Sequence, residues 1–178
     1  SVVIAAAFES RFPIKSIVTF EANPVWLLDN ERHQHLVVEI QSLVKSLQRA
    51  LEEKTINPVK QVIDFYGGEN KFETYPSKLQ KYFNDAGKTN VLDWNSVEKG
   101  FGKLGGNRLI DSWKYIPAMF ALGEYANEFV SSVNVELMRL FENRKQRIVK
   151  GAGHFLTSTH YEECARIIDE FVFKERSF

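Results

Sequence analysis

Apolar residues recur along this 178-residue chain at two different spacings, and the spacing changes twice. In the middle of the chain Leu36, Ile40, Leu43, Val44, Leu47 and Leu51 return every three or four residues, which predicts a helix over residues 35–54. A second helix is predicted over 56–66, with Pro58 in its first turn and Gly67-Gly68 ending it. A third over 76–86 shows Leu79, Tyr82 and Phe83 on one face, with Gly87 beyond its end; 90–98 reads as a fourth, and the four glycines of 99–107 read as a flexible return. On either side of this helical stretch the texture is different. Residues 14–20, β-branched and bounded by Pro13 and by Asn23-Pro24, read as a strand, as do 115–122 and the short pair Ile148-Val149. Helices are predicted over 1–11, 131–141 and 161–172, the last with Cys164, Ile167, Ile168, Phe171 and Val172 on its buried stripe. The order is therefore helix, strand, long helical insertion, strand, helix, strand, helix. Such alternation predicts an α/β fold, a parallel sheet covered by helices. Two or three strands make a poor doubly covered sheet, so further strands are expected from residues preceding Ser1 or from another chain.

Composition narrows the partners. Lys plus Arg equals Asp plus Glu at 23 each, so no long-range field gathers nucleic acid or an anionic membrane surface, and neither is expected as a partner. The longest apolar run, residues 2–8, falls far short of the roughly 20 residues that span a bilayer. A single cysteine, on the stripe of the last helix, excludes an internal disulfide and reads as a small buried hydrophobe, which fits a cytoplasmic location. With 44% hydrophobic residues the chain can bury one substantial core. We divide it into core helix and strand (1–24), a helical cap (25–113), and core strands and helices (114–178). It opens without Met on Ser-Val-Val-Ile-Ala-Ala-Ala-Phe, an unusually apolar start, and is expected to be the carboxyl part of something longer.

Chemistry concentrates at two strand ends. Gly151 and Gly153 allow a sharp turn directly after the third strand, lifting the ring of His154 off its carboxyl end. In open α/β sheets that edge is where ligands collect. Glu21 follows Phe20 at the end of the first strand, a costly place for a carboxylate without a partner. Asn23 and Trp26 lie just beyond it, where they are candidates to bind substrate. His33, His35 and His160 show no metal-ligand spacing with carboxylates or with Cys164, so neither a metal nor another cofactor is expected.

These strings and their order resemble the carboxyl half of an α/β-hydrolase with a helical cap inserted into its parallel sheet. Residues 2–12 resemble the helix after the nucleophile elbow, 14–24 the sixth strand and its exit, and 25–113 the cap. Residues 115–127 resemble the seventh strand with its Gly-Glu turn. Gly151-Ala152-Gly153-His154-Phe155 is the most specific string, resembling the loop that carries the family's histidine. The resemblance implies His154 as general base. It places the nucleophile and the oxyanion hole upstream of Ser1, in an amino-terminal part supplied by the same precursor or a second chain. The usual acid position after the seventh strand holds Ala126, and the neutral amide of Asn127 cannot replace a carboxylate. Glu21 is favoured as the acid, with Glu124 as the alternative. The implied activity is serine-type hydrolysis of a small ester-like molecule. A relative without catalysis, binding a small apolar ligand in the same pocket, is the other reading.

Overall fold

A computed structural model describes residues 14–101 and 114–174, with the side chains of 90, 92–101 and 174 left aside. The helix expected over 1–11 lies outside these residues. The chain divides into two compact units, one formed by Ser1–Leu27 with Gly105–Phe178 and the other by Leu28–Leu104.

Among the described residues the first unit contains three parallel strands in the order β1 (Ile17–Phe20), β2 (Ala118–Gly123), β3 (Arg144–Val149). Ile17 pairs with Ala118 and Ala118 with Arg144, so the three carboxyl ends finish near one another. β2 is buried along its whole length, as its unbroken apolar run requires of a central strand covered on both faces. On one face Ile17, Ala118, Phe120, Leu137 and Phe141 form a core with helix α4 (Glu128–Arg139). On the other, Met119, Ala121, Val149 and Ala152 pack with Leu156 of α5 (Leu156–Thr159) and with Cys164 and Ile167 of α6 (Tyr161–Asp169). Asn127 caps α4, accepting a hydrogen bond from the Val130 N–H at 2.9 Å.

Two expectations are corrected in this unit. β3 is six residues long, not two, because its first five residues are exposed and carry Arg144, Lys145 and Arg147. An edge strand protected by charge hides its period from a hydrophobicity reading. Ile168, placed on the stripe of the last helix, is 39% exposed, and the buried positions are Cys164, Ile167 and Phe171. The buried stripe keeps the i, i+3, i+7 spacing of an α-helix and leaves Ile168 at its solvent-facing margin, and beyond Asp169 the chain widens into a π-helical turn at Glu170–Lys174.

The second unit is helical: α1 (Gln34–Glu52), α2 (Lys60–Gly67) and α3 (Ser77–Phe101). Leu36, Ile40 and Leu47 of α1 are buried, as their spacing predicts. Asp64 closes the bend after α2 by accepting the Phe72 N–H at 2.8 Å and the Lys60 ammonium at 2.7 Å. The helices expected over 76–86 and 90–98 are one, and its last turn takes in the start of the expected glycine return. Gly87 does not end a helix. A Cβ there would lie 2.7 Å from Val59 Cγ1, so the missing side chain serves close packing beneath α3. No helix among the described residues is long and apolar enough to cross a membrane.

Candidate functional site

Each strand end delivers one part of a single cluster in the first unit. At the exit of β1 the chain turns through Glu21, whose φ of 48° lies in the left-handed region that glycine usually occupies. Such a backbone costs about 1 kcal/mol or more in a non-glycine residue and persists where its surroundings hold it. Here they do. The Glu21 N–H donates to Ala121 O at 3.1 Å, and one carboxylate oxygen accepts the Gly123 N–H at 2.7 Å. The other carboxylate oxygen lies 2.6 Å from His154 Nδ1. The Glu21 side chain is fully buried and that of His154 is 18% exposed. A buried carboxylate needs partners for both oxygens, and this one has a backbone amide and an imidazole.

The exit of β2 is pressed against the loop that follows β3. A Cβ on Gly123 would sit 2.6 Å from Ala152 O and 2.8 Å from Gly153 O, so only glycine lets the two segments meet. The Glu124 N–H donates to Val149 O at 3.0 Å and the Tyr125 N–H to Ala152 O at 2.8 Å. The loop itself is a tight turn, with the Ala152 N–H reaching back to Val149 O at 3.3 Å and Gly151 at φ 72° in its third position. That geometry requires a positive φ there, which is why the turn contains glycine. His154 follows, its ring edge-on to Phe155.

The structure thus brings His154 and Glu21 together. Glu124, the alternative acid, has its carboxylate on the Gly151 N–H at 2.8 Å. Trp26 is half-buried and packs on the Ile17–Phe120 core, and Asn23 lies in the turn after Glu21 with its side-chain oxygen buried. The sequence reading missed the Gly123 amide, because a main-chain donor leaves no residue type to notice. The Gly-Glu pair was its only signal. Burial, with the nearby Glu163 and Glu21 carboxylates, pushes the Cys164 thiol up, so it remains a neutral core group. Among the described residues no group of three His, Cys, Asp or Glu side chains is arranged to hold a metal ion.

An ionised carboxylate can only accept, so the Glu21 contact fixes the hydrogen of the imidazole on Nδ1 and leaves Nε2 as the basic nitrogen. Oriented in this way, the ring can move a proton to or from a group at the sheet's carboxyl edge.

No family model matches the chain, and no curated protein matches it in sequence. Among solved structures it is similar to MenH from S. aureus, with a TM-score of 0.57 and 15% sequence identity, over 99% of this chain and 65% of that one. The likeness is one of fold, and the architecture is of the α/β-hydrolase type. The chain spans just under two thirds of the length of that neighbour.

Proposed function

We propose that this chain contributes the base and the acid of a serine-type hydrolase acting on small ester-like substrates. The observation that carries this reading is the 2.6 Å contact between His154 Nδ1 and the buried Glu21 carboxylate. It joins the carboxyl ends of two parallel strands, the edge where α/β enzymes gather their chemistry. In this reading His154 Nε2 takes the proton of a serine-like hydroxyl as it attacks the ester carbonyl, and returns it to the departing alcohol. A water then gives its proton to the same nitrogen, attacks the acyl intermediate, and frees the acid and the hydroxyl. Glu21 keeps the ring in the required tautomer and balances its transient positive charge. The nucleophile and oxyanion donors belong to residues preceding Ser1, in the same precursor or a second chain. Trp26 and Asn23, close after Glu21 in the chain, are the proposed substrate contacts.

The test is ester hydrolysis by the full-length protein with short-chain p-nitrophenyl esters. His154→Ala is expected to lower kcat by about 10⁴-fold or more, since the residues of a triad act as a unit. Full activity in that variant refutes the assignment. A wild-type protein that binds apolar ligands but turns over none of these esters favours the non-catalytic reading.

A further inference from the structure

We propose that Glu124 is a positioning residue for His154, acting by holding the turn from which the histidine loop springs. The inference rests on the reading of His154 as the base. In the turn Val149-Lys150-Gly151-Ala152 the Ala152 N–H closes the bend, which leaves the N–H of the central peptide, that of Gly151, without a partner inside the turn. Glu124 supplies the partner from the neighbouring strand exit, with its carboxylate accepting that N–H at 2.8 Å. Two main-chain bonds tie the same segments together, Glu124 N–H to Val149 O and Tyr125 N–H to Ala152 O, and both survive any non-proline substitution at 124. The side-chain bond is therefore separable from the rest of the junction. Its importance lies in where it pulls. Gly123, the residue before Glu124, donates its N–H to the carboxylate that holds the imidazole. The β2 exit thus grips Glu21 through Gly123 and the histidine loop through Glu124, and sets the spacing of acid and base from a single turn. A carboxylate is not required for this, because any acceptor oxygen at the same reach does the work.

The experiment compares Glu124→Ala, Glu124→Ser and Glu124→Gln in the full-length protein by two readouts. One is kcat and KM for a short-chain ester. The other is the low-field proton resonance of His154 Nδ1–H, recorded without substrate and assigned by its loss in His154→Ala. Loss of the acceptor is expected to lower kcat about fivefold with KM unchanged, the size of one net hydrogen bond, and to shift or broaden the resonance. Gln, whose amide oxygen still accepts, is expected to restore both. A resonance unchanged in Glu124→Ala and Glu124→Ser overturns the proposal, and so does Gln behaving like Ala, which assigns a charge effect. If the wild-type protein cleaves no ester, the hydrolase reading fails while the resonance still decides whether Glu124 sets the imidazole.

Discussion

The helical unit and the sheet unit are held by interactions of different reach. In the helical unit the polar contacts are mostly between near neighbours: Lys60 with Asp64 and Lys81 with Asp85, each one helical turn apart, and His33 with Asn30 across a cap. In the sheet unit the decisive bonds join residues far apart in sequence, Glu21 with Gly123 at a separation of 102 and Glu21 with His154 at 133. Local contacts restrain little more than the helix that contains them. Distant ones close long stretches of chain and fix a geometry that no single segment can adopt alone. The candidate site therefore lies where the chain must be fully folded before any of its parts is in place.

Glu21→Gln tests this contrast with the largest expected effect. The amide can still accept the Gly123 N–H but offers the imidazole no charge, and kcat for ester hydrolysis is expected to fall about 10²–10⁴-fold. A chemical melt of the same variant should show a smaller change than the activity does. A loss confined to stability would make Glu21 a structural anchor. Phe120→Ala comes next. Its ring is fully buried in the sheet core beside Phe141, and the cavity is expected to cost about 3–5 kcal/mol in denaturant unfolding. In the helical unit Gly87→Ala sharpens the contrast, because helix propensity and packing oppose each other there. Alanine gains about 1 kcal/mol of propensity. Its Cβ, 2.7 Å from Val59 Cγ1, adds about 1–3 kcal/mol of overpacking, for a net loss read as a lower Tm. A rise in Tm would show that Val59 yields easily.

The smallest effect is expected at Lys60. Hydrogen bonds to the Asp64 and Glu73 carboxylates raise its pKa above the ordinary 10.5. A raised folded-state value stabilises the fold fully below pH 10.5 and loses that contribution as pH climbs through the higher value. The Tm gap between wild type and Lys60→Met should accordingly be flat from neutral pH up to that value and close above it. A gap that persists at higher pH would point to packing by the lysine stem instead.

The same contrast explains how much could be read from the sequence. α1 announces itself through Leu36, Ile40 and Leu47, since periodicity is local, whereas α2 begins at Lys60, four residues later than expected, with Pro58 in the turn before the helix and not in its first turn. Gly87 misled because a glycine that ends a helix and a glycine that admits a neighbour look alike until Val59 is known to lie against it. β3 was mostly hidden because its exposed charges follow the demands of a sheet edge. At the site, Glu21 and His154 were legible as residues out of keeping with their surroundings, and the strand order brings them together. Glu21 was already the favoured partner of His154, but the contact of Glu124 with the Gly151 N–H was not legible, because a main-chain donor leaves no residue type to notice. Asn127, set aside as an acid, caps a helix instead, a task that its type allows and its position decides.

The contact at Gly123 also limits what sequence change the protein can accept. With two carbonyl oxygens standing where a methyl group would go, every one of the nineteen alternatives meets rigid main chain, not a side chain that could swing aside. A saturation library at this codon, sorted for folded protein, should return the starting residue almost alone, while neighbouring Glu124 admits several others. One atom's absence thus makes this position far less free to vary than the acidic residue beside it.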